Sequence, residues 1–167
     1  MRTVISENIL LDDRQSFLFR EDMIPFHEEM GYHAHSEFEL MCLTDCGGKR
    51  IVNEIEETFE EYDVALIPEG IPHGWILDPM LCPPNGIVHD CCAQFCKPLL
   101  KNFGYCFPEF EKMAEFYCEL RQGMILTGDT ARQVIESFHS FGNMNPRNRL
   151  HRLLGLLIDI YESENSA

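Results

Sequence analysis

The 167-residue chain contains no run of apolar residues near 18, which excludes a transmembrane helix. Basic residues are scarce: 13 Lys and Arg stand against 28 Asp and Glu, for a net charge of -15. The shortage is uneven, with 5 basic and 19 acidic residues in 1–96 but 8 and 9 in 97–167. Direct binding to DNA needs a basic surface that displaces counterions, and this chain lacks one. Its first residues, Met-Arg-Thr-Val-Ile-Ser-Glu-Asn, lack the apolar stretch of a secretory signal, so the expected location is cytoplasmic, with no membrane partner. None of the 8 cysteines forms a CxxC pair, and reduced thiols acting as small buried hydrophobes are expected. Cys91 and Cys92 are adjacent, so on a strand they face opposite ways. There is no internal repeat and no low-complexity segment.

The composition that remains, 45% hydrophobic and 11% aromatic, is enough for a packed core. From residue 16 to 96 short apolar runs alternate with turn signals. Strands are expected at Ser16–Arg20, Ile24–His27, Glu37–Thr44, Lys49–Asn53, Glu56–Phe59, Val64–Ile67, Gly74–Leu77 and Gly86–Phe95. Cys46-Gly47-Gly48 and Pro83-Pro84-Asn85-Gly86 mark turns between them. Six or more strands at this spacing, without intervening helices, indicate a sandwich or barrel.

After residue 97 the period changes to that of helices. Pro108 opens a stretch with Phe110, Met113, Phe116, Tyr117 and Leu120 on one face, ended by Gly123. Gly128-Asp129 is expected to cap a second helix carrying Val134, Ile135, Phe138 and Phe141, which stops near Gly142. Asn145-Pro146 begins a third, with Leu150, Leu153, Leu154, Leu157, Ile158 and Tyr161 spaced i, i+3, i+4, i+7, i+8, i+11. A polar tail, Glu162 to Ala167, follows. The predicted organisation is therefore a β-rich part over 1–97 and a helical part over 98–167 with about three α-helices.

Two clusters carry the chemistry. His33, His35, Glu37 and Glu39 alternate, so on one continuous strand all four face the same way. His73 follows a Pro68-x-Gly70-x-Pro72 turn where a strand would begin. A His-x-His pair with a third His and a carboxylate suits one divalent metal, and equally suits a hydrogen-bonded cluster that orients a ligand. Trp75, the sole tryptophan, shares the face of His73 and offers a ring for stacking on a sugar or planar ligand, or is a core aromatic. Arg20, Met41 and Leu43 are weaker candidates for the same interior.

His33-x-His35-x3-Glu39 with its Gly turn resembles the first cupin motif, and Pro68-x-Gly70-x2-His73 resembles the second. With the helical tail, residues 16–162 resemble the N-terminal sensor and dimerisation domain of AraC/XylS-type transcriptional regulators. Tyr62 stands where that pattern has Gly before Asp63, His27 where it has Gly before the first cluster, and Leu77 where the second motif ends in Asn. The resemblance implies a cupin (jelly-roll) barrel and a small-molecule effector, possibly a sugar, bound by His33, His35, Glu39, His73 and Trp75. It also implies a homodimer through Leu150, Leu153, Leu154, Leu157 and Tyr161, built by helices 129–142 and 146–163. DNA contact would belong to helix-turn-helix units that this chain lacks, and a domain excised from a longer regulator is expected. No residue then needs a catalytic role and no cofactor is required. The rival expectation is a metal-dependent cupin enzyme, an oxygenase or sugar isomerase, with Zn, Fe, Mn or Ni on His33, His35, Glu39 and His73. The least favoured alternative is a cysteine-based redox module.

Overall fold

The structure is a computed structural model and describes residues 2–10, 14–25 and 30–165. Among the described residues ten strands form in chain order: β1 (Ile5–Ser6), β2 (Phe17–Pro25), β3 (Met30–Ala34), β4 (Phe38–Thr44), β5 (Gly48–Val52), β6 (Ile55–Phe59), β7 (Tyr62–Ile67), β8 (His73–Leu77), β9 (Ile87–Phe95) and β10 (Met124–Ile125). Four α-helices accompany them: α1 (Lys97–Cys106), α2 (Glu111–Glu119), α3 (Gly128–Phe141) and α4 (Pro146–Asn165). The strands make two five-stranded sheets, ordered β1-β3-β8-β5-β6 and β10-β7-β4-β9-β2. Every pairing is antiparallel except that of β1 with β3. Among the described residues, no helix is long and apolar enough to cross a membrane.

All seven residues of β4 are buried because both its faces are covered. Phe38, Leu40 and Cys42 meet a large core under the helices, with Phe95, Leu100, Tyr117, Val134, Phe138, Leu153 and Leu157. Met41 and Leu43 meet a smaller core with Phe59, Trp75, Leu77, Val88 and Cys92. A helical layer thus lies on one sheet, and that sheet faces the other. The apolar driving force is concentrated under the helices. The space between the sheets is left partly polar. Cys91 joins the first core and Cys92 the second, as their adjacency on β9 requires.

Several elements differ from the sequence reading. β2 is one strand, not two: nine consecutive residues pair with β9, from Phe17 opposite Phe95 to Pro25 opposite Ile87. The expected strand end at His27 lies outside the described residues. Helix α1 was not expected, although Pro98 sits just inside its start, where a missing amide hydrogen costs nothing. The helix expected from Pro108 begins as a 3-10 turn and becomes α2 only over Glu111–Glu119. The N-cap of α3 is Thr127 rather than Gly128-Asp129, and Asp129 pairs with Arg132 in the first turn. For α4 the cap is as expected: Asn145 Oδ1 accepts from the Asn148 amide at 3.0 Å. The helix continues through Glu162–Asn165, where a polar tail was expected.

The leucine stripe of α4 is divided. Leu153 and Leu157 are fully buried in the chain's own core, together with Leu156 and Ile160, while Leu150, Leu154 and Tyr161 are half-buried. Tyr117 fastens α2 to α4 by donating its hydroxyl to the Leu157 carbonyl at 2.5 Å. The buried leucines are therefore already engaged within the chain.

Candidate functional site

The sequence reading placed His33, His35, Glu37 and Glu39 on one strand face; the structure does not. Strand β3 ends at Ala34, and β4 begins at Phe38 in the other sheet. Residues 35–37 are the crossing between sheets, fixed where the Gly70 amide donates to the His35 carbonyl at 2.7 Å. The corner nevertheless gathers the predicted side chains. One ligand atom from each of His33, His35, Glu39 and His73 lies within 4.8 Å of the others. His35, Glu39 and His73 are buried, and His33 is half-buried. Glu37 stands outside the group, beside the Nδ1 edge of His35, with its Oε1 accepting from Ser36.

Close packing of β3 on β8 brings His33 to His73. Gly74, between His73 and Trp75, makes this possible: a Cβ there would lie 2.5 Å from the Gly31 carbonyl oxygen. The β3–β8 register is irregular between Met30 and His33, and the His33 and His73 backbones end directly opposite. Their ring centroids are 4.4 Å apart.

Each histidine is held by Nδ1. His33 donates to Gly31 O at 3.2 Å, His35 to Glu37 O at 3.1 Å, and His73 to Ile71 O at 2.8 Å. A carbonyl can only accept, so each Nδ1 carries hydrogen, and Nε2 is the lone-pair atom of the neutral ring. The three Nε2 atoms turn towards carboxylates. His35 Nε2 is 3.2 Å from Glu39 Oε2, His73 Nε2 is 3.5 Å from Glu39 Oε1, and His33 Nε2 is 3.3 Å from Glu7 Oε2. His73 Nε2 is fully buried and has no hydrogen-bond partner. Glu39 is in turn held by Gln94, whose Nε2 donates to Oε2 at 2.6 Å.

Burial alone would disfavour a charged Glu39, but the hydrogen bond from His35 and the nearness of His73 outweigh it and hold the carboxyl well below the usual range. Burial likewise opposes the His35 imidazolium, and the Glu39 hydrogen bond and charge overcome it, raising that pKa. His33 moves the other way, lowered by burial and by the neighbouring His73.

The cluster borders a cavity of about 530 Å³ lined by His33, Glu39, Met41 and Trp75, by Arg20 and Asp90, and by Ile5 to Asn8 and Gly31. That volume suits a small organic molecule. Trp75 is both a wall and a core residue: it is 2% exposed, and its Nε1 donates to Asp63 Oδ2 at 2.7 Å. Asp63 also takes a hydrogen bond from Arg50, which links the two sheets behind the tryptophan. Arg20 and Met41 line the cavity as expected, whereas Leu43 is buried in the inter-sheet core. Burial pushes the Asp90 carboxyl up to about 6 against the pull of Arg20.

Glu7, Asp90 and Gln94 belong to the site without having been singled out. The alternation of Asp90, Cys92 and Gln94 within an apolar strand was a usable signal for two of them. Glu7 had none, because β1 reaches β3 by a long-range parallel pairing. The Leu150, Leu153, Leu154, Leu157 and Tyr161 set lies on α4, in the helical layer covering the other face of the β4 sheet. No protein-family model matches the chain, and a comparison with curated proteins finds no match.

Proposed function

We propose that this chain is the effector-binding and dimerising domain of an AraC/XylS-type transcriptional regulator, built on a cupin-like barrel. A small molecule occupies the cavity beside Trp75, meeting His33 and Glu39 at its wall, while His35 and His73 stand behind them and hold Glu39. The observation that carries this reading is the convergence of His33, His35, Glu39 and His73 beside the cavity, with one buried nitrogen, His73 Nε2, left without a partner. A buried acceptor without a donor costs roughly 1–3 kcal/mol, which a bound donor recovers. Sugar and polyol hydroxyls are such donors, and they are neutral. The acidic balance of residues 1–96 favours them, or cations, over anionic ligands.

A divalent metal fits the same atoms. Two lone-pair atoms as close as His35 Nε2 and Glu39 Oε2 require a proton or a cation between them. The backbone carbonyls on each Nδ1 are the partners that orient metal-binding imidazoles. His33, His35, Glu39 and His73 would hold Zn, Fe, Mn or Ni, and the ion would supply a Lewis-acidic centre. This donor set favours the second reading, a metal-dependent cupin enzyme; the sensor reading needs no reaction.

Ligand binding would bias an attached DNA-binding domain only through different affinity for its two arrangements. DNA contact, a homodimer through the half-buried face of α4, and a cytoplasmic setting belong to this same proposal. Titration of Trp75 emission with neutral monosaccharides tests it: a saturable change in wild type that disappears in Glu39→Gln is the expected result. Stoichiometric iron or manganese with turnover of a bound sugar would replace it with the enzyme reading.

A further inference from the structure

A second group of ligating atoms lies on the opposite face of β9 from the cavity. Glu21, His89 and Cys91 each offer one ligand atom within 4.8 Å of the others. The sequence separates Glu21 from the other two by nearly seventy residues, and the β2–β9 ladder closes the gap: Glu21 and Cys91 are direct cross-strand partners. Directly opposed residues on antiparallel strands share a face, and so do residues two apart on one strand. All three side chains therefore project into the layer between this sheet and α3.

A single atom, His89 Nε2, faces both neighbours, at 3.2 Å from Glu21 Oε1 and 3.4 Å from Cys91 Sγ. Tetrahedral zinc with its usual bond lengths separates such ligand atoms by roughly 3.3–3.6 Å. The two edges that meet at His89 Nε2 are close to that spacing, and the third, between Glu21 and Cys91, is within 4.8 Å. From the helix side, the His139 ring lies nearly parallel to that of His89, with centroids 5.2 Å apart and a 12° interplanar angle. Gly142, just beyond α3, leaves room for the glutamate, since a Cβ there would stand 2.9 Å from Glu21 Oε2. Cys91 is 2% exposed, and the His89 and Glu21 side chains are 15% and 33% exposed, so the thiol is sheltered while the other two open a path from solvent.

We propose that Glu21, His89 and Cys91 form a binding site for a borderline-soft divalent cation of the zinc type, with the His139 ring stacked on that of His89 beside it. Thiolate, imidazole and carboxylate together select zinc or cobalt over magnesium or calcium, which prefer all-oxygen shells. An ion held here would cross-link β2 to β9 beneath the last turn of α3. It is independent of the cavity reading, because none of its ligands reaches the cavity.

Cobalt(II) titration of the reduced, metal-stripped chain tests the site, because only a thiolate ligand gives thiolate-to-cobalt charge-transfer absorbance in the near ultraviolet. The cavity cluster of histidines and glutamate contains no sulfur. The expected result is a saturable band. It is lost in Cys91→Ala, kept in Cys92→Ala and Glu39→Gln, and weakened at least about tenfold in cobalt affinity in His89→Ala and Glu21→Gln. His89 and Glu21 lie at the surface end of the group, so those variants keep the test decisive even where Cys91→Ala folds poorly. Absence of the band in wild type, its persistence in Cys91→Ala, or unchanged affinity in both His89→Ala and Glu21→Gln would overturn the proposal.

Discussion

Glu39 is approached by His35 and His73 and tied by Gln94, so its position is set by three strands and the sheet corner. The sequence made His33, His35, Glu39 and His73 legible through spacing and residue type, although the single-strand reason was wrong: the pair straddles two sheets and converges because the chain turns between them. Gln94 was legible only through its alternation with Asp90 and Cys92 along β9, since a lone amide carries no motif. Asp63 shows the same limit. Its partner Arg50 is thirteen residues away, and only the facing of the two sheets makes them a pair. Both are nearly fully buried, with side chains 5% and 3% exposed. Arg50→Met leaves a buried carboxylate with Trp75 as its remaining donor and is expected to cost about 3–5 kcal/mol in urea denaturation. Adding Asp63→Leu should recover most of that loss, because a buried ion pair replaced by apolar side chains is often close to neutral. A single-variant loss below about 1 kcal/mol would show that the pair is not what joins the sheets behind Trp75.

Elements were recovered where periodicity was strong and blurred where the chain passes between layers. Strands β4 to β9 and helices α3 and α4 follow their patterns closely, with boundaries moved by a few residues. Helix α1 escaped notice because only Leu100 and Gly104 of its ten residues are buried, which leaves little apolar stripe to read. Strand β3 escaped because its pairing with β8 is irregular and its residues were absorbed into the motif beside it. The β3–β8 contact depends on Gly74, where an added Cβ would meet the backbone rather than a movable side chain. Gly74→Ala is expected to destabilise the fold by about 1–3 kcal/mol and to push β3 away from β8. Because His33 rides on β3, its imidazole resonances should shift in NMR spectra of that variant. Unchanged stability and unchanged His33 resonances would mean that the close approach does not position the site.

In the whole molecule two cores share one sheet, and the larger one ties β4, β7 and β9 to the helices. The β-rich front and helical back were legible from the change of period near residue 97, but the layering was not, since it depends on which face of each strand the helices cover. The proposed dimer belongs at this scale. Leu157 is fully buried, and Leu157→Ala should cost about 2–5 kcal/mol of stability in each protomer. Leu154 is half-buried and outside the main core cluster, so Leu154→Glu should leave stability nearly unchanged while shifting sedimentation from dimer to monomer. A wild-type monomer at high micromolar concentration would remove the dimer from the account. The cavity carries its own reporter, since Trp75 is the only tryptophan and lines the wall beside His73. The most direct test is therefore Trp75 fluorescence titrated with a panel of neutral monosaccharides and with divalent ions, in wild type, Glu39→Gln and His73→Ala. Wild type is expected to show a saturable change and each variant at least about a tenfold loss of affinity, the worth of roughly 1.4 kcal/mol. Emission that stays flat in wild type across every sugar and every ion, or that responds identically in all three proteins, would contradict the cavity reading.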